Sequence, residues 1–292
     1  MFGKKIKKVG IVCNDAGSAN IIVNWVKFYN YKYFIKVQGP AKKIFKRILP
    51  NLYLNTSLTN LVNKSEIIIT GTSNISSLEN RARVLSIKNK KKVVAVMDHW
   101  VLYKEGLVYK NKLILPDEVW VTNKNSFIKA NIIFKKTKIK QKKNLLEKSI
   151  QNIKKNKKKI FRNYLYFLEP INNSIEFLAL KKFLFFLLKN QINKKINIIF
   201  KLHPRENISK YKSFLKIFSE FNYKIIDDFD LKSLISWSQI IFGMSSYALV
   251  LGFKSKRTVY TLLPIKKFKS TLPYKITEID KITHKQISII KK

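Results

Sequence analysis

The chain has 292 residues, 46% of them hydrophobic, enough to bury two modest cores or one large one. Lys and Arg number 59 against 17 acids, a net charge of +42. The excess is nearly all lysine alongside many Ile and Asn, a trio that an AT-rich genome produces without selection for charge, so anionic partners are a second explanation rather than a necessary one. The single cysteine, Cys13, excludes an intramolecular disulfide framework and a cysteine-based metal cluster.

Taken in chain order, strand-like and helix-like segments alternate. "KKVGIVC" (7–13) reads as a strand behind a short basic start. Its apolar run is too short for the core of a signal peptide, and a cytoplasmic chain, with peripheral contact with an anionic membrane left open, is the expectation. The loop "NDAGSAN" leads into a helix, "IIVNWVKFY", and "YKYFIKVQ" is the next strand, ended by Gly39-Pro40 before the helix "AKKIFKRIL". "SEIIITGTS" (65–73) is a third strand with a Gly-containing exit, followed by the helix "SLENRARVLSIKN". "KKVVAVMDHW" (91–100) and "DEVWVTN" (117–123) complete a first, mostly parallel sheet.

Residues 135–159 hold twelve Lys and one Glu, a density that favours a solvated linker or surface helix over 136–159. Beyond it the pattern restarts. "IFRNYLYFLEP" (160–170) and "INIIFKLHP" (196–204) are strands around the helix "IEFLALKKFLFFLLKN" (175–190), which carries Lys181 and Lys182 and is too short and charged to span a bilayer. "SKYKSFLKIFSEF" is a helix, "YKIIDDF" a strand, "DLKSLISWS" a short helix, "QIIFGMSS" a strand and loop, "YALVLGF" a helix and "RTVYTLLP" a last strand. The expected organisation is α/β, two doubly wound Rossmann-like domains, 1–135 and 160–275, with a tail over 276–292.

Ligands of open parallel sheets bind at the carboxyl ends of the strands. In the first half that edge offers Asn14, Asp15, Gly17 and Ser18, then Gly71 to Ser73, then Asp98 and His99. In the second it offers Glu169, then His203, Pro204 and Arg205, then Gly243, Ser245 and Ser246. Pro204 restricts His203 to extended backbone and so turns the imidazole toward the strand end. Gly243 permits a sharp turn into a helix opened by Ser245 and Ser246. These are ordinary N-cap residues, but with free N–H groups and the helix dipole they also suit a phosphate. Asp15 reads equally as a base or as an Asx turn or helix cap, and Asp98–His99 as a base or a buried hydrogen-bonded pair. Asp228-x-Asp230, in "DDFD", precedes a helix and reads as capping. No His/Asp cluster has metal-ligand spacing, so metal-independent chemistry without a cofactor is expected.

"KLHP" followed by "SS" resembles the His-Pro and Ser/Thr-Ser/Thr motifs of bacterial sialyltransferases, GT-B enzymes that use a CMP-sugar, and is similar to the pair found in CDP-glycerol glycerophosphotransferases and related capsule enzymes. The resemblance covers residues 160–265 best. It implies two lobes facing a cleft, with His203 on the departing nucleotide phosphate and Ser245 and Ser246 on the same phosphate, beside Pro204 and Gly243. Glu169, at the first strand end of the second half, reads as a contact to the nucleotide's base or ribose or as a cap of the next helix. In "NDAG", Asp15 matches the general base of those enzymes, Asn14 stands where they carry another acid, and Ala16 is inserted before Gly17. Gly17, Ser18, His99 and Arg205 would then line the substrate, with Asp98 as the other base.

The expected function is inverting transfer of a sialic-acid-like sugar from a nucleotide donor to a hydroxyl of a glycan or lipid-linked glycan acceptor in surface polysaccharide synthesis. Polyol-phosphate transfer, epimerisation of a UDP-sugar and non-catalytic binding of a sugar nucleotide or nucleic acid are the alternatives. An epimerase needs several acids and bases around the sugar, and the first half of the sequence shows few. A nucleic-acid binder needs basic and aromatic residues interleaved on one face; "YKEGLVYKNK" and 135–159 come nearest without forming a recognisable module.

Overall fold

The computed structural model describes residues 7–98, 104–153, 162–171, 173–190, 192, 196–227, 230–264 and 270–291. The chain forms two compact units, Met1–Leu146 and Glu147–Lys292.

In the first unit, β1 (Lys8–Cys13) is buried along all but its first residue, the mark of a strand covered on both faces. It is followed by α1 (Ala16–Phe28), β2 (Lys32–Val37), α2 (Gly39–Ile48), α3 (Leu58–Lys64), β3 (Ile67–Thr70), α4 (Leu78–Lys88) and β4 (Lys92–Val96). A small hairpin of β5 (Val108–Tyr109) and β6 (Lys112–Leu113) precedes β7 (Glu118–Val121), α5 (Lys124–Ile133) and β8 (Lys138–Gln141). The sheet runs β2-β1-β3-β4-β7-β8, all parallel. Ile21, Ile22 and Trp25 of α1 and Ile44 and Phe45 of α2 pack on one face. Leu61 and Val62 of α3 and Leu78 and Ala82 of α4 pack on the other. The strand order changes direction between β1 and β3, so the crevice rule points to the carboxyl ends of those two strands. Local chemistry sets the helix starts: Ser57 accepts a hydrogen bond from the Asn60 N–H ahead of α3, and Asn123 from that of Ser126 ahead of α5.

The second unit opens within α6 (Leu145–Gln151). It contains β9 (Arg162–Phe167), α7 (Asn173–Lys189), β10 (Ile196–Lys201), α8 (Ser209–Lys212), β11 (Asn222–Ile226), α9 (Leu231–Trp237), β12 (Ile240–Gly243), α10 (Tyr247–Lys254), β13 (Thr258–Thr261), β14 (Thr277–Glu278) and α11 (His284–Lys291). Its parallel sheet runs β11-β10-β9-β12-β13-β14, the doubly wound order with its switch point between β9 and β12. The core is aromatic: Tyr164, Tyr166, Phe183, Phe200, Phe218 and Phe242 interlock within 4.7–5.8 Å of one another's ring centres.

Three expectations change. The stretch expected as a linker includes β8, whose Val119–Ile139 and Val121–Gln141 pairings make it the edge of the first sheet: Lys138 and Gln141 are exposed and Ile139 and Lys140 half-buried, so a lysine-rich strand is tolerated at an edge. The expected tail supplies β14 and α11, where Ile290 is fully buried and its carbonyl accepts from the Tyr164 hydroxyl at 3.1 Å. The helix expected over 209–221 breaks into α8 and a 3-10 segment at Phe214–Phe218. Asp230 caps α9 through the Ser233 N–H at 2.8 Å, as its position in "DDFD" suggests; Asp228 lies outside the described residues.

Candidate functional site

At the switch point of the second sheet, β9 ends beside β12, and the next residues of the two strands make one constellation. Oε1 of Glu169, two residues past β9, accepts the backbone N–H groups of Met244, Ser245 and Ser246 at 2.7, 2.8 and 3.0 Å. These successive donors open α10. An anion is therefore held at this helix N-terminus, and it is the protein's own carboxylate. Expecting those N–H groups to be free for a phosphate was incorrect. Gly243 has no left-handed backbone. What its missing side chain permits is close packing, since a Cβ there would fall 3.3 Å from the Phe167 carbonyl and 3.2 Å from Leu249.

Ser246 occupies the N-cap position without a side-chain cap bond. The hydroxyls of Ser245 and Ser246 are both buried and without a hydrogen-bond partner in the structure. Two unpaired hydroxyls beside a saturated set of backbone donors are an unused polar surface. Burial pushes the Glu169 carboxyl up to about 7 against the pull of its three N–H donors. Its own backbone N–H donates to Glu176 of α7 at 2.7 Å, and Glu176 also accepts from Tyr211 and Lys210. Glu176 thus fixes the turn that presents Glu169. Sequence reading missed Glu176; the available signal was an acid at a helix start within an apolar run.

His203 is half-buried just beyond β10, and Pro204 and Arg205 are exposed. The Arg205 N–H donates to His203 Nδ1 at 3.2 Å, so a neutral ring carries its proton on Nε2. Because β10 and β12 both flank β9, the chain segments that carry His203 and the two serines leave the sheet on opposite sides of the strand that leads to Glu169, at one edge of the sheet.

The first unit assembles a second constellation around Cys13, at the carboxyl end of β1. Asp15, the N-cap residue of α1, makes no side-chain cap bond, which removes the capping explanation for it. Asp98, beyond β4, lies so close to Gly17 that any Cβ there would collide with its carboxylate. Glu79, fully buried in α4, accepts the Asn14 N–H at 2.7 Å through Oε1, while Oε2 has no partner. Burial raises Glu79 to about 7, opposed by the Asn14 N–H and Arg83. Burial, then Glu79, then Asp15 and Asp98 together hold the Cys13 thiol well above its ordinary value. An acid is thus present beside Asn14, contributed from α4 rather than from the loop itself. Sequence reading missed it because Glu79 and Arg83 have the i,i+4 spacing of an exposed ion pair, whereas both are buried. Ser18, expected to line the substrate, is fully buried and its hydroxyl meets the Cys13 thiol at 3.4 Å. His99 lies outside the described residues. Among the described residues no group of three or more His, Cys, Asp or Glu is arranged to hold a metal ion.

No family model matches the chain, and no curated protein matches its sequence. Solved structures do match in fold. UDP-GlcNAc 2-epimerase from Methanocaldococcus jannaschii superposes with a TM-score of 0.61 at 16% identity, covering 97% of this chain and 91% of that one. The S. aureus MnaA–UDP co-structure gives 0.60 at 13% identity over 88% and 79%. Acinetobacter baumannii MurG gives 0.52 at 10% identity over 98% and 89%. The fold is of the GT-B type. The two Rossmann-like units of that GT-B fold are the two units expected from the alternation of strands and helices. These three structures share the fold and lend no support to the sialyltransferase resemblance. Among the described residues no helix of this GT-B chain is long and apolar enough to cross a membrane.

Proposed function

We propose that the chain acts on a nucleotide diphosphate sugar, held at the switch point of the second unit, and that epimerisation of a UDP-sugar is a better reading than transfer from a CMP-sugar. The observation that carries the proposal is the separation of His203 from Ser245 and Ser246 by the β9 strand and its Glu169 carboxylate. The two sets of groups leave the sheet from strands on either side of β9, which suits a ligand with two anionic groups. A diphosphate is better matched, with His203 Nε2–H donating to one phosphate and the unpaired Ser245 and Ser246 hydroxyls to the other. Glu169 completes the set by fixing the turn that carries the serines.

The acids favour epimerisation. Inverting a sugar carbon requires a proton to leave one face and another to arrive on the opposite face, so at least two acid/base groups are needed. Asp15 and Asp98 sit at the end of β1 in the first unit, with Glu79 buried behind them on the Asn14 N–H, so two carboxyl groups are at hand there. A simple inverting transfer needs only one base. The solved structures support the same reading, since two similar folds were determined for UDP-GlcNAc 2-epimerase and for a UDP complex.

The test is incubation with UDP-GlcNAc in D2O, followed by proton NMR. The expected result is a second UDP-sugar epimer carrying deuterium at the inverted carbon, lost in Asp15→Asn and Asp98→Asn and slowed in His203→Ala. Release of UDP only in the presence of an acceptor sugar would instead favour transfer. If neither UDP, UDP-sugars nor CMP-sugars bind, and Ser245→Ala with Ser246→Ala changes nothing, the reading fails.

A further inference from the structure

The first unit contains a cavity of about 320 Å³ that includes none of Asp15, Glu79 or Asp98. It lies on the sheet face that α1 covers, between the last turns of that helix and the chain leaving β8. Its walls combine aromatic rings with aliphatic side chains of α1, β1 and β3. Trp25 and Trp120 meet edge to face at 5.7 Å, and Tyr29 and Tyr31 stack at 5.6 Å with planes 5° apart. Both indole N–H groups are engaged, Trp25 to the Lys143 carbonyl at 2.9 Å and Trp120 to Glu118 at 2.8 Å. Both indole N–H groups are therefore satisfied, as is the Tyr33 hydroxyl, which donates to the Tyr29 carbonyl at 3.0 Å.

The rim is cationic. Lys142 sits 4.4 Å from the centre of the Trp120 ring, and Lys143 lines the same opening. Burial first, then repulsion from Lys140, and from Lys7 and Lys92 behind it, holds the Lys142 ammonium below its ordinary value. The nearby acid is committed: Glu118 pairs with Lys92 and Lys140 at 2.8 Å each and accepts from Trp120. Positive charge is thus in excess at the mouth of an apolar, ring-lined hole.

We propose that this cavity binds a small amphiphile, an apolar body with one anionic group, the body among Trp25, Trp120 and Tyr31 and the anion at Lys142 and Lys143. A dry cavity of about 150 Å³ holds benzene. Twice that volume takes a fused two-ring system or a short acyl chain. The two sources share one chemistry. The site stands independently of the nucleotide-sugar proposal.

The experiment uses the full chain and three probes: 2-naphthalenesulfonate, octanoate and neutral 2-naphthol, each titrated by quenching of tryptophan emission and by calorimetry. One or both anions should bind with a Kd below about 1 mM; ring alone, chain alone or both then identifies the source. Val26→Trp and, as a second plug, Ile69→Phe should weaken binding by about tenfold or more while keeping a cooperative melt. Lys142→Gln should weaken both anions several-fold and leave 2-naphthol unchanged. Absence of anion binding at about 1 mM, or wild-type affinity in a folded plug variant, overturns the site. Equal loss of 2-naphthol and anions in Lys142→Gln overturns the anionic head.

Discussion

Replacing Glu169 by alanine isolates the main structural device of the second unit. The change removes one carboxylate oxygen that receives three backbone N–H groups at 2.7–3.0 Å from a residue only 5% exposed. Hydrogen bonds to charged groups contribute roughly 1.5–3 kcal/mol each, and losing the acceptor leaves buried donors unpaired. Desolvation of the carboxylate opposes part of this, as its rise to about 7 shows. At pH 8, where the group is ionised, a net loss of about 3 kcal/mol is expected, corresponding to a fall of very roughly 10 °C in the Tm of this unit. The vacated cradle should then accept a small anion. Formate at ten times its Kd would restore about 1.4 kcal/mol, with no comparable effect on the wild type, whose cradle is filled. Thermal and urea denaturation with and without formate, at matched chloride, measure both effects. A Glu169→Ala variant within about 0.5 kcal/mol of the wild type, or a formate effect equal in both proteins, would refute the role assigned to this carboxylate.

The two carboxyls raised to about 7 set a pH dependence of definite sign. Each holds its proton more tightly folded than at the ordinary value of 4.5, so its contribution is fully present below about 4.5 and disappears as pH rises through about 7. Urea denaturation at constant ionic strength should show this part of the stability falling from pH 5 to 8 by up to about 3 kcal/mol per group, with Glu79→Gln flattening the first unit's share; a flat wild-type profile counts against it. Gly17→Ala should cost about 1–3 kcal/mol through collision with Asp98, and Asp98→Ala in the same chain should recover most of it, as a double-mutant cycle would report. Ser245→Ala and Ser246→Ala remove buried hydroxyls that have no partner, so stability should stay level or rise slightly while UDP affinity falls about tenfold; a loss of stability with unchanged affinity would reverse the assignment.

Both sheets were legible because buried parallel strands such as "KKVGIVC" and "INIIFKLHP" stand out as apolar runs ending in polar loops. The edge pieces were not. In β8, Lys138 and Lys140 alternate with Ile139, a pattern that local propensity cannot separate from a solvated linker until a neighbour strand is supplied. The strand-end residues His203, Ser245 and Ser246 were placed on the correct edge by the crevice rule alone. The rule gave no warning that Glu169 fills the α10 N-terminus, because that depends on a contact between residues 75 to 77 positions apart. Glu79 escaped for the same reason: its partner Asn14 is 65 residues away.

Lysine outnumbers arginine 53 to 6 in this chain, yet the guanidinium of Arg83 is fully enclosed and reaches Thr70, Gly71, Asn80 and Gly106 at 2.6–3.0 Å. Its two terminal nitrogens tie the exit of β3, the first turn of α4 and the turn ahead of β5 into one knot. A lysine there would bring a single tetrahedral head to four acceptors spread in a plane. Most of the positive charge in this protein therefore sits where one basic residue can stand in for another, and a composition drifting toward lysine stops where the architecture requires a flat, two-pronged donor.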